Sequence, residues 1–139
     1  MTVLSFRIDG KASPKGSLRH VGHGRLIEQV AGSKPWREKV VAAARDTVAY
    51  SPYAYLFPMD GAVAVDIDLY VERPKSAPKR PWPITRSSGD VDKHARNILD
   101  ALVDARVIRD DSQVVTLHVN KAHHADAPWA DVRVREVTA

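Results

Sequence analysis

The chain has 139 residues, 44% of them hydrophobic, which suits one compact domain over residues 1–139 and excludes both a disordered tail and a multidomain enzyme. It contains no cysteine, which excludes a disulfide framework and a thiolate zinc site. Lys and Arg outnumber Asp and Glu by 21 to 17, a mild bias toward polyanionic partners, and no stretch approaches the ~20 apolar residues of a membrane span or the pattern of a secretory leader, so a cytoplasmic protein with no membrane partner is expected.

Val3 to Asp9 alternates, with Leu4, Phe6 and Ile8 on one face, which predicts a half-buried strand. Residues 10–34 then carry glycines and Pro14 with no sustained period and read as an extended basic loop, in which the run from Gly10 to Leu26 bears Lys11, Lys15, Arg19 and Arg25 without an acid. Pro35, following Ser33, opens a helix to about Tyr50 in which Trp36, Val40, Ala44 and Val48 recur at helical spacing. Ala62 to Glu72 is the clearest strand, apolar at Val63, Val65, Ile67, Leu69 and Val71 and polar at Asp66, Asp68 and Glu72. Residues 73–89 are proline-rich, bear Arg73, Lys75, Lys79, Arg80 and Arg86 without an acid, and read as a second basic loop. A helix over about 92–105 has Ala95, Ile98, Leu99 and Leu102 as its stripe. Two strands follow, Gln113–Lys121 and Trp129–Val137, with AHHADAP between them as a hairpin connection.

The segment GDVDKHARNILDALVDARVIRDDSQVV carries the chemistry. Asp90 and Asp92 converge if the backbone between them is extended just before the helix starts, and Asp92 would then serve as its N-cap. Asp110 and Asp111 sit where the chain folds back after that helix, so the two acidic pairs could meet. Carboxylates that gather without Cys or His suit a hard, oxygen-seeking cation such as Mg²⁺. Lys93, Arg96 and Lys121 are candidate cations for a phosphate in the transition state. A bland alternative stands beside this one: an acidic helix cap, an acidic turn, and a charge ladder along Asp92, Arg96 and Asp100.

The ordered set G-D-V-D-K, L-D-A-L, D-D-S-Q-V-V and then Lys121 resembles the signature of RusA-type crossover junction endodeoxyribonucleases, and the opening strand followed by G-K-A-S-P-K-G is a fainter echo of the family's start. The resemblance implies an α+β fold with a mixed β-sheet packed on two main helices, working as a symmetric homodimer. It implies Mg²⁺ as cofactor, with Mn²⁺ as a substitute, and paired nicks in a four-way (Holliday) DNA junction during recombination and repair. By position, Asp90, Asp92 and Asp111 match the family's catalytic, metal-holding acids. Arg96 stands where the family often has lysine, and Lys93 where asparagine is common. Asp100, Asp110 and Gln113 match recurrent positions with supporting or structural roles.

The loop 73–89 leads straight into Asp90, so its cations and those of 10–34 are placed to hold a phosphate backbone. Trp82, between two prolines, could stack on an unpaired base or wedge into a junction, or equally pack on its own loop or a dimer partner. His20, His23, His94, His118, His123 and His124 show no zinc spacing; His94 lies near enough to the acids to assist proton transfer. The rival readings are a nuclease for other branched or flap DNA, and a non-catalytic basic DNA-binding module.

Overall fold

In the computed structural model, which describes residues 1–16, 18–20, 22, 24, 26–28, 31–75, 82–124 and 127–138, the alternating N-terminal segment forms strand β1, Thr2–Asp9. Leu4, Phe6 and Ile8 are buried as the alternation requires; an irregularity between Thr2 and Leu4 buries Val3 as well. The region read as one extended loop is partly structured. Strands β2 (Leu18–His20) and β3 (Leu26–Glu28) pair antiparallel within it, and its last residues already belong to helix α1, Ser33–Ala49. In α1 the residues Trp36, Val40 and Ala44 are buried one turn apart, as their spacing predicts.

Strand β4, Val63–Glu72, is followed by helix α2, Val91–Asp104, and strand β5, Val114–His124, which lies parallel to β4 and beside it. This is a β-α-β crossover, the connection that parallel neighbours need. Strand β6, Trp129–Glu136, then pairs antiparallel with β4 on its far side and with β1, giving the sheet order β1-β6-β4-β5. The expected β5–β6 hairpin is therefore wrong: the connection spans the end of β4. The reason lies in burial. Ala130, Val132 and Val134 of β6 are completely buried and fill a central position, whereas Val115 and Leu117 of β5 are 60% and 41% exposed on an edge.

The helices cover one face of the sheet. Ile98, Ala101 and Leu102 of α2 join Trp36, Val40 and Ala44 of α1 against Val65, Ile67, Leu69 and Val132 in one core. A fully buried Leu102 contributes about 1.5–3 kcal/mol by removal from water, so Leu102→Ala costs about 2–5 kcal/mol once the cavity is included. On the opposite face, Asp66 pairs with Arg135 at 2.9 Å and Asp68 with Arg133 at 2.9 Å, while Trp129 stacks on Tyr70 with ring centroids 4.1 Å apart. The D-x-D of β4 is thus a structural charge ladder.

Candidate active site

The site is built around the turn that ends the second basic segment. Arg86–Ser88 form one 3-10 turn, Gly89 takes φ +82°, and Asp90 is the residue preceding α2, with extended backbone. Gly89 is required twice. Its φ disfavours any side chain, and a Cβ would lie 2.5 Å from His94 Nε2 and 3.1 Å from Pro14. Lys121, reaching from β5, donates to Ser88 Oγ at 2.9 Å and to the Gly89 carbonyl at 2.7 Å. His94 is buried and its Nε2 lies 2.7 Å from the Ser88 carbonyl, which makes that nitrogen the donor. The turn that presents Asp90 is therefore gripped from the strand below and from the helix that follows.

The helix starts one residue earlier than the sequence implies, at Val91. Asp90, rather than Asp92, is the N-cap, and the extended D-x-D geometry ends at Asp90 because Asp92 already lies in the first helical turn. The Asp90 side chain makes no capping bond, and its nearest cation is Lys93 Nζ at 3.8 Å. Asp92 and Arg96 are exposed, and among the described residues neither forms an ion pair; the anticipated ladder along α2 is absent because Asp100 binds Lys15 Nζ instead. Two exposed carboxylates at a helix N-terminus, where the helix dipole favours negative charge, are left available to a ligand.

Asp110 and Asp111 lie at the other end of α2. Asp110 caps a 3-10 turn over Asp111–Gln113, accepting from the Ser112 amide at 2.8 Å. That bond holds the Asp110 carboxyl below the usual carboxylate range. Gln113 Oε1 accepts from the amides of Arg109 (2.7 Å) and Asp110 (3.0 Å), and Nε2 donates to the carbonyls of Met59 (2.7 Å) and Gly61 (3.0 Å). All the bonding capacity of Gln113 goes into fixing this turn. Asp90 and Asp92 stand at the N-terminal end of α2, a helix of 14 residues, and Asp111 lies in a turn beyond its C-terminal end. The chain does not bring its two acidic pairs together. Asp110 and Asp111 instead border a cavity shared with Asp100, Asp104, Lys15 and Arg37.

A basic groove adjoins Asp90. Lys11, Lys39, Arg86, Trp36, Pro14 and Gly89 line an open cavity of about 560 Å³ on the helical side of the turn. Lys39 was missed by the sequence reading, being one lysine on an amphipathic helix; only the fold shows that α1 carries it to the same groove as Lys11. Lys15 is differently employed from the expectation: its amide donates to the Lys93 carbonyl at 3.0 Å and its ammonium is paired with Asp100, so its charge is neutralised within the fold. Lys75 is exposed, Arg73 is half-buried, and Trp82 is 59% exposed beside an exposed Ile84. Arg25, Lys79, Arg80 and His23 lie outside the described residues, as do the side chains of Arg19 and His20.

Asp90 and Asp92 are exposed oxygen donors of the kind that Mg²⁺ takes from a protein before phosphate completes its shell, but the helical start at Val91 does not give them the extended spacing on which their convergence was expected. Among the described residues no group of three or more His, Cys, Asp or Glu side chains gathers to hold a metal. Burial pushes the pKa of His94 below the ordinary histidine range, so at neutral pH it is an uncharged structural donor. No helix among the described residues is long and apolar enough to cross a membrane.

The sequence model of the family described as endodeoxyribonuclease RusA matches residues 9–135, nearly the whole chain. No curated protein matches it. The chain belongs to the RusA endodeoxyribonuclease family.

Proposed function

We propose that this member of the RusA endodeoxyribonuclease family resolves four-way DNA junctions by paired, Mg²⁺-dependent nicks, as a symmetric homodimer acting in recombination and repair in the cytoplasm. The observation that carries the reading is the pair Asp90 and Asp92: exposed, with no side-chain capping bond from the N-cap Asp90, and beside a groove bearing Lys11, Lys39 and Arg86. A two-fold dimer presents two equivalent sites, which fits a junction with two equivalent strands.

The groove cations hold the sugar-phosphate backbone and set its register without reading sequence. Asp90 and Asp92 would hold the cation, with Mn²⁺ as a substitute. A cation held there would supply an activated water and charge neutralisation at the scissile phosphate. Arg96, one turn beyond Asp92, offers its guanidinium to a non-bridging oxygen, a role that needs charge and not proton transfer. Attack by water at phosphorus breaks the bond to the 3′ oxygen, leaving a 5′ phosphate and a 3′ hydroxyl.

The test uses labelled four-way junction, duplex and flap DNA, in Mg²⁺ or EDTA. The parent is expected to nick the junction in Mg²⁺ alone, and Asp90→Asn and Asp92→Asn to bind it without cutting. Variants that cut as fast as the parent would remove the catalytic assignment. A parent that binds without cutting would be a DNA-binding module, and equal cutting of all three substrates would remove junction selectivity.

A further inference from the structure

Resting on the nuclease reading above for the source of its ligand, we infer that the cavity beside Asp90 is a terminal-phosphate subsite, which takes the 5′-phosphorylated nucleotide at the end of a nicked strand.

The cavity differs from the rest of the surface in its charge. Lys11, Lys39 and Arg86 line it; among the described residues no acid does, and none of the three side chains forms an ion pair. Cations elsewhere are engaged: Lys15 with Asp100, Arg109 with Asp60, Arg133 with Asp68 and Arg135 with Asp66. The backbone is shaped to admit Lys39. Gly10 has φ +130°, and a Cβ there would lie 2.5 Å from Lys39 Nζ, so glycine is what lets the ammonium lie against the chain just before Lys11.

Helix α1 adds to the same demand for an anion. Its N-cap Gly32 and Pro35 of its first turn belong to the cavity wall, no side chain caps it, and no acid in the first turn answers the positive end of the helix dipole. Trp36, 3% exposed, is also in the wall, and its indole N–H is buried with no hydrogen-bond partner among the described residues.

Three unpaired cations and a helix N-terminus exceed what one backbone phosphodiester, with its single charge, requires. A terminal monoester carries about −1.5 to −2 and offers three acceptor oxygens. The cavity, of about 560 Å³, is also larger than a phosphate, and Ala12, Pro14, Pro35 and Trp36 give it apolar walls for the attached sugar and base. Its ligand is made next door, since Gly89, the residue before Asp90, closes one side. Attack of water at phosphorus there converts a diester into a 5′ monoester and adds a negative charge, so the product suits the cavity better than the substrate does. Retention of that end keeps the protein on a junction that has been nicked once.

Binding of the full chain to junctions that carry one nick is measured in EDTA, so that nothing is cut. Three nicks are compared: 5′ phosphate with 3′ hydroxyl, hydroxyl on both sides, and 5′ hydroxyl with 3′ phosphate. The 5′-phosphate junction should bind about 10-fold more tightly than the other two, the low end for a charge-assisted hydrogen bond. Lys39→Ala and Arg86→Ala, both at exposed side chains, should bring that ratio to about 2 or less. The second ionisation of a phosphate monoester lies near pH ~6, so the ratio should also shrink as pH falls through that value and the dianion becomes a monoanion. Equal binding of 5′-phosphate and 5′-hydroxyl nicks, an equal gain from a 3′ phosphate, or a ratio that both variants or low pH leave intact overturns the subsite. Nicking of the intact junction in Mg²⁺ then still upholds the nuclease reading. A full 5′ preference in a protein that cuts no DNA upholds the subsite and overturns the nuclease reading as the source of its ligand.

Discussion

Lys121 donates to the carbonyl oxygen of Gly89 at 2.7 Å, and this contact joins the edge of the sheet to the turn that presents Asp90. With a second bond to Ser88 Oγ at 2.9 Å, two of the three ammonium donors are occupied by the protein. Lys121 is therefore a positioning residue. Lys121→Met keeps the aliphatic stem and deletes both bonds. It should cost about 1–3 kcal/mol of stability and slow nicking about 10–100-fold, with little change in junction affinity. Thermal melts and single-turnover cleavage measure the two effects; an unaltered rate would show that the turn holds Asp90 without Lys121.

The cationic partner of the carboxylates is separable among three candidates. Lys121 is engaged, Lys93 stands 3.8 Å from Asp90, and the exposed Arg96 guanidinium forms no ion pair among the described residues. Arg96→Ala should lower the cleavage rate about 100–1,000-fold, the usual cost of one preorganised donor at a developing charge. Lys93→Ala should lower it far less. Arg96→Lys should recover part of the loss, with the alkaline limb of the pH–rate profile moved to lower pH, because an ammonium titrates where a guanidinium does not. If Arg96→Ala cuts normally, the guanidinium does not meet the phosphate.

Much of this fold is legible in the sequence because burial on one face forces periodicity. The alternations of β1 and β4 and the 36-40-44 spacing of α1 each map onto the buried set. Sheet order is not legible. Val115, Leu117 and Val119 alternate as well as Val132 and Val134 do, yet one strand lies at an edge and the other in the middle, a choice made by the parallel crossover through α2. At the site, Asp90 and Asp92 were legible as a pair, and Gly89 as their neighbour. Asn97 was not: it is fully buried, accepts from Arg37 at 2.7 Å and donates to the carbonyls of Ser13 and Ser33, binding three segments together. A single polar residue on a helix gives no sign in sequence of partners 60 and more positions away.

The Asp111 turn depends on Gln113, whose amide satisfies two backbone donors and two backbone acceptors. Gln113→Glu is nearly isosteric but replaces the Nε2 donor with an acceptor facing the Met59 and Gly61 carbonyls. It should cost about 1–3 kcal/mol and reduce cleavage, while leaving binding in EDTA unchanged. Chemical denaturation of the parent and variant tests the first figure. A variant as stable as the parent would mean that the turn is held by the Asp110 cap alone.

The groove should announce itself through salt. Lys39→Ala, Lys11→Ala and Arg86→Ala each remove one candidate phosphate contact without touching a carboxylate. Each should weaken binding alike for all sequences and lower the slope of log K against log salt by about 1. Lys15→Ala should leave the slope unchanged and lower stability, since its charge serves Asp100. Titrations at several salt concentrations, in EDTA, decide the matter; a slope lowered by Lys15→Ala and not by Lys39→Ala would place the backbone elsewhere.

His94 gives the fold an acid-side weakness. Its Nε2 donates to the Ser88 carbonyl, its Nδ1 is buried without a partner among the described residues, and burial holds its pKa below the ordinary histidine value. The unfolded chain therefore takes up a proton near pH ~6.5, while the folded chain resists it until lower pH. Stability is full above that value and declines as pH falls from it toward the folded pKa, because the unfolded state binds the extra proton. His94→Gln retains a side-chain donor and cannot titrate. In metal-free buffer, denaturation midpoints of the parent should fall between neutral pH and pH 5 more steeply than those of His94→Gln. Parallel pH dependences in the two proteins would show that His94 is not the group whose protonation strains the turn beneath Asp90.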